Sequence, residues 1–241
     1  MILLIDVGNT RVKWARTTDA GLADVGALAH AGAPAVALRE HGLPEADAVW
    51  VSCVKSINWD ELEFGLRQVT GRDPHLASAE AARDGLVNSY AEPARMGSDR
   101  WLAMLALWAG CRAAFCVVSA GTALTLDRVD SSGQHLGGLI ATGLTSAQHA
   151  LLSVTKGRPS APLRPYGEHL GRDTETAVRQ AAYFSSLGVI ERGLRSAGET
   201  PDEARVITGG DATTLLPALG ARWNHRPHLV LEGLEILARH A

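Results

Sequence analysis

Residues 1–15, MILLIDVGNTRVKWA, decide how this chain reads. An apolar run from Ile2 to Ile5 stops at the carboxylate of Asp6, a Gly-Asn-Thr turn follows, and VKWARTT resumes with strand-forming residues. This is the pattern of a strand, a tight turn and a second strand. It returns in VVSAGTALTLD, residues 117–127, with Ser119 in the place of Asp6, 113 positions on, and Gly121 in the place of Gly8. Helical patterns fill much of the interval. The chain therefore reads as two similar α/β halves with no Pro/Ser-rich linker between them, and the expected domains are 1–113 and 114–241, with the terminal helix free to pack back on the first.

Other segments fit that frame. DAVWVSCV, residues 47–54, is short and Val-rich, as a buried strand would be, and residues 60–70 predict a surface helix. In DRWLAMLALWAGCR, Trp101, Met104, Leu105 and Trp108 recur at i, i+3, i+4 and i+7, which predicts a helix with one apolar face and Ser98 as its N-cap. Residues 113–140 predict three strands with a turn at Asp130–Gly133, ARVITGGDA predicts a strand entering a glycine turn, and TETAVRQAAYFSSLGVIERGL and HLVLEGLEILARH predict helices.

Composition excludes several classes of function. Of the 241 residues 46% are hydrophobic and 20% charged, the balance of an ordinary globular protein. A net charge of -3 without a Lys/Arg stripe argues against a nucleic-acid partner. No segment approaches the roughly 20 apolar residues that span a bilayer, and the start lacks a basic leader, so no membrane partner and a cytoplasmic location are expected. Cys53, Cys111 and Cys116 are odd in number and are expected to be reduced and mostly buried. The nine histidines show no zinc spacing.

Three loops carry candidate chemistry. At the end of a strand, Asp6 can hold magnesium directly or through water, Gly8 lets backbone approach phosphate oxygens, and Asn9 and Thr10 add short polar groups. From these five residues alone a plain hairpin turn is an equal reading. Ser119-Ala-Gly-Thr and Thr208-Gly-Gly-Asp211 are two more strand-to-glycine loops, and three in one chain favour nucleotide binding. A serine-hydrolase elbow is excluded, because it needs glycine where Val117 stands. In Gly97-Ser98-Asp99-Arg100, Asp99 falls in a first helical turn, which favours an ionised carboxylate able to accept a proton, and Arg100 can bind an anion. First-turn acids also occur for helix stability alone.

DVGNT, Tyr90 nine positions before Asp99 of GSDR, SAGTALTLD, GGLI and GRDTETAV (171–178) together resemble the type III pantothenate kinase family, which includes Bvg accessory factors, in the same order over nearly the whole chain. The resemblance implies the actin, Hsp70 and sugar-kinase fold, with two ribonuclease H-like domains and ATP held between them. It implies that Asp6, Val7, Gly8, Asn9, Thr10, Arg11, Val12 and Lys13 form the loop binding ATP phosphates, with Asp6 near magnesium, and that Thr122 touches ATP. Asp99 matches the proton acceptor for the primary hydroxyl of pantothenate. Tyr90, Gly97, Ser98, Asp99, Arg100 and Thr174 match pantothenate contacts, Thr174 in a homodimeric site. Most members carry aspartate at the position of Ser119, where it helps to hold a monovalent cation, potassium or ammonium. A neutral hydroxyl is a weaker cation ligand, so weak potassium activation is expected here. The turn after GGLI lacks the family's usual proline but keeps Gly143. An active kinase is the leading expectation. A nucleotide-binding regulatory protein, or another small-molecule kinase of the same fold, is the alternative.

Overall fold

Leu3, Leu4, Ile5 and Val7 are wholly buried, so strand β1 (Ile2–Val7) runs through an interior and not along a surface. In the computed structural model, which describes residues 1–155, 165–196 and 202–240, β1 is the middle strand of a five-stranded sheet. Its antiparallel partner is β2 (Arg11–Thr18), which pairs in turn with β3 (Gly21–Ala29). On its other side lies the parallel strand β4 (Ala48–Cys53), followed by β5 (Pro74–Leu76). The sheet order is β3-β2-β1-β4-β5. A strand covered on both faces needs a continuous apolar run, which is why the opening does not alternate.

Three helices and a small hairpin complete this first unit before the chain leaves it. Helix α1 (Pro34–His41) precedes β4. Helix α2 (Trp59–Thr70) starts at Asn58, whose side chain accepts from the Asp60 N–H at 3.1 Å, and ends at Gly71 in the left-handed conformation. It buries Leu62 and Leu66 and leaves Phe64 exposed, as expected of a surface helix. Strands β6 (Ala82–Arg83) and β7 (Leu86–Val87) pair as the small hairpin. Helix α3 (Ser98–Cys111) corrects two expectations. Gly97, not Ser98, occupies the N-cap, and no side chain caps the helix. Its burial is not confined to one stripe either: every residue from Arg100 to Trp108 is buried. The reason is a helix from the far end of the chain, α7 (Leu229–Arg239), which packs along α3 so closely that a Cβ on Gly233 would come within 2.0 Å of the Leu102 carbonyl.

The second unit repeats the strand plan. Strands β8 (Phe115–Ala120), β9 (Ala123–Val129) and β10 (His135–Thr142) form an antiparallel meander, and β11 (Ala204–Thr208) and β12 (Trp223–His225) add parallel to β8. The order β10-β9-β8-β11-β12 matches that of the first sheet, strand for strand. Helices α4 (Leu144–Thr155), α5 (Thr174–Ser196) and α6 (Ala212–Leu219) belong here. The core of this unit carries a buried ion pair, with Arg128 Nε donating to Glu203 at 2.9 Å and Arg128 Nη1 donating to the Leu194 carbonyl at 3.0 Å, so neither charge is left alone. The two compact units comprise Met1–Arg112 with the chain from His228 onward, and Ala113–Pro227.

The cysteines form no disulfide, but only Cys116 is buried; Cys53 is half-buried and Cys111, the last residue of α3, is exposed. Mostly buried thiols were expected, and helix termination places Cys111 in solvent instead. Among the described residues, no helix is long and apolar enough to cross a membrane.

Candidate active site

In the first unit the site grows from the register of the sheet. Asp6 lies beside Lys13 on β2 and Ser52 on β4, so its carboxylate has a cation on one side and a hydroxyl on the other. Ser52 is 1% exposed and donates a hydrogen bond to the Asp6 carboxylate. Asp6 keeps some exposed surface, yet burial is the largest influence on its carboxyl group. Burial pushes its pKa up to about 6; Lys13 opposes that rise, the nearby charge of Asp99 adds to it, and the bond from Ser52 opposes it. The like charge of Asp99 disfavours ionisation of Asp6, an effect that a cation near the two carboxylates would offset.

Asp99 sits in the first turn of α3. Its carboxylate folds back over Gly97: a Cβ at Gly97 would lie 2.4 Å from Asp99 Oδ1. A methyl at Gly97 would therefore make the Asp99 carboxylate move, while the backbone itself sets no requirement for glycine, since Gly97 has an ordinary φ of -62°. Ser98 Oγ lies 3.1 Å from Ser52 Oγ, which links the start of the helix to the strand beside Asp6. Arg100 is 6% exposed, donates to the Tyr90 hydroxyl at 2.8 Å and stacks over the Tyr90 ring with its guanidinium 5.6 Å from the centroid. The structure thus joins Tyr90 and Arg100 into one rigid polar element.

The turn after β1 is tight. Gly8 N donates to the Arg11 carbonyl at 3.0 Å, and Ser56 Oγ donates to Asn9 Oδ1 at 2.5 Å. Val7 and Val12 are wholly buried and Arg11 is exposed, so of the expected loop residues the two valines can offer a ligand only backbone.

In the second unit three loops meet through their backbones. Gly121 N donates to the Ala123 carbonyl at 3.0 Å and Gly143 N to the Thr122 carbonyl at 3.1 Å. A Cβ at Gly143 would lie 1.9 Å from the Gly121 carbonyl, and one at Gly209 2.3 Å from the Ala120 carbonyl. Gly209 also has a φ of +98°, which only glycine adopts readily. Asp211 ties the set together: its N–H donates to the Ala120 carbonyl at 2.9 Å, and its carboxylate accepts from Thr145 Oγ1 at 3.0 Å. Ser119 stands in register between Thr125 and Thr208, so its lateral neighbours are hydroxyls, not charges. Thr174 is the first residue of α5 and is exposed.

The family model for type III pantothenate kinase matches residues 2–196. A type III pantothenate kinase from Marinobacter nauticus is 37% identical over 240 residues, covering 99% of this chain and 98% of the relative. The chain belongs to the type III pantothenate kinase family. Its fold is that of actin, Hsp70 and the sugar kinases. A conserved Baf-family protein from Campylobacter jejuni superposes with a TM-score of 0.64 at 17% identity, covering 99% of this chain and 98% of that one. MreB 5 of Spiroplasma citri, solved with AMPPNP, superposes with a TM-score of 0.50 at 11% identity, covering 99% and 96%.

The donor set of this family member fits magnesium. Among the described residues no group of three or more His, Cys, Asp or Glu side chains is placed to hold a metal. Magnesium does not need one, since it commonly binds through one or two carboxylates and completes its shell with water and substrate phosphates. Asp6, with Asp99 near it, meets that requirement. Ser52 is a neighbour of Asp6 that the sequence does not single out. The signal was present, a lone hydroxyl between Val51 and Cys53 in an apolar strand, but its meaning depends on the register that sets it beside Asp6.

Proposed function

We propose that this protein phosphorylates the primary hydroxyl of pantothenate with ATP, giving 4'-phosphopantothenate and ADP, the first step of coenzyme A biosynthesis. Family membership along the chain supports the substrates. The observation that carries the residue roles is the meeting of Asp6 with Asp99: the charge of Asp99 raises the Asp6 pKa, while the surroundings of the two carboxylates differ. Asp6 is flanked by Lys13 and Ser52 and serves the phosphate side; Asp99, in the first turn of α3, serves the acceptor side.

In this reading Asp99 accepts the proton of the pantothenate hydroxyl while that oxygen bonds to the γ-phosphorus and the bond to the ADP oxygen breaks. Arg100, held by Tyr90, binds the carboxylate of pantothenate. Gly8 to Lys13 contact the phosphates, and Gly121 and Thr122 approach ATP. Magnesium held at Asp6 would neutralise charge on the triphosphate. Thr174 belongs to a pantothenate site completed in a cytoplasmic homodimer. The two compact units stand for the two domains of the fold, with α7 belonging to the first.

The decisive test is product formation from ATP, magnesium and pantothenate, followed by mass spectrometry. Asp99→Asn should lower turnover at least about a hundredfold while ADP affinity changes by less than about threefold. Turnover near that of the wild type would remove Asp99 from the role of base. A wild-type protein that binds ATP yet makes no phosphopantothenate would instead be the regulatory member that the accessory-factor branch of the family allows.

A further inference from the structure

The turn at Gly8-Asn9-Thr10 is gripped by a residue that no motif marks. His30 follows β3 directly and is 4% exposed. Its own N–H donates to the Thr10 carbonyl at 3.3 Å, and its carbonyl accepts from Ala33 N at 2.7 Å. On the ring, Nε2 lies 2.9 Å from the Gly8 carbonyl and Nδ1 lies 3.1 Å from Gly32 N. These two contacts fix the tautomer. A backbone N–H can only donate, so Nδ1 is the acceptor; the ring proton is then on Nε2 and is donated to the Gly8 carbonyl, which can only accept. The chain bends sharply to make this fit, with Ala31 at φ 45° and Gly32 at φ 90° turning the Gly32 N–H back toward the ring. An alanine at positive φ is uncommon and costs energy, so the bend is held by what it achieves.

We propose that His30 is a positioning residue for the nucleotide. Its Nε2–H at the Gly8 carbonyl and its N–H at the Thr10 carbonyl hold both ends of the turn, so the loop meets phosphate already shaped. Ser56 steadies the middle through Asn9. His30 itself touches no reacting atom; it acts through the loop. The inference rests on the reading of Gly8 to Thr10 as a phosphate loop.

Three variants separate this role from a merely structural one. His30→Gln places an amide N–H where Nε2 was, His30→Asn keeps only an acceptor where Nδ1 was, and His30→Ala removes both. ADP affinity is read by calorimetry, and KM for pantothenate by turnover. ADP binding should weaken about tenfold in His30→Ala and in His30→Asn, and largely recover in His30→Gln, while KM for pantothenate stays within about twofold. Unchanged ADP affinity in His30→Ala, or an Asn variant that binds as well as the Gln variant, would overturn the proposal; the latter would reduce His30 to a support for the Gly32 turn. If the Ala variant does not fold, the Gln and Asn pair still decides. Wild-type turnover with His30-independent ADP binding refutes this inference alone. His30-dependent ADP binding without any phosphopantothenate refutes the kinase reading alone.

Discussion

Asp6 is held at a cost, and pH exposes it. Its carboxyl titrates near 6 in the folded chain against an ordinary 3.8, chiefly through burial. Between those values the folded state binds more protons than the unfolded one, so this group's contribution to stability falls as pH rises and is fully lost above pH 6. The penalty at neutral pH is at most about 3 kcal/mol. Asp6→Asn should therefore be more stable than the wild type at pH 8 in the absence of divalent cations, with the gain vanishing near pH 4, as urea unfolding at both pH values would reveal. Gly97 gives a second test. Alanine fits its φ, but the new methyl would occupy the place of the Asp99 carboxylate. Gly97→Ala should keep its melting temperature and lose up to about a hundredfold in kcat, the usual cost of displacing a reacting group by about 1 Å. At this scale the sequence was legible wherever one residue's chemistry suffices, as with Asp6 at a strand end. It was silent on Ser52 and His30, whose partners Asp6 and Gly8 are distant in sequence and become neighbours only through sheet register.

Among the elements, those with strong periodicity or flanking turns were readable: β1, β2, β4, the β8 to β10 meander, α3, α5 and α7. Strand β3 was not, because most of its residues are partly or fully exposed and its glycines and alanines give no alternation. Helix α4 begins immediately after Gly143, with the glycine loop masking its start. The burial of α3 on all sides could not be foreseen from its own residues, because the partner, α7, lies more than a hundred residues downstream. That contact makes a prediction for the element. Gly233→Ala would drive a methyl against the Leu102 carbonyl, which is backbone and cannot swing away. Stability should fall by about 1–3 kcal/mol, measurable as a lower urea midpoint, with the far-UV spectrum preserved. A variant as stable as the wild type would mean that the two helices slide apart freely.

For the whole molecule, the repeated strand order means that the second sheet offers at Ser119 what the first offers at Asp6, but with the charge removed. The residues that flank Ser119 in the sheet, Thr125 and Thr208, carry hydroxyls and no charge. Turnover should respond weakly to potassium, and Ser119→Asp should strengthen the response, as rate measurements across a potassium series would show; a wild type strictly dependent on potassium at this residue would contradict this. The route of the chain has a consequence of another kind. The second unit is one continuous stretch, Ala113–Pro227, whereas the first lacks α7 until Leu229–Arg239 has been made. On the ribosome the opening sheet is made first, yet the unit built on it cannot be completed before the later unit has been made. From the completion of α3 at Cys111 until α7 begins at Leu229, the side of α3 that α7 will cover stays bare, so the nascent chain depends long on protection at the segment that carries Asp99.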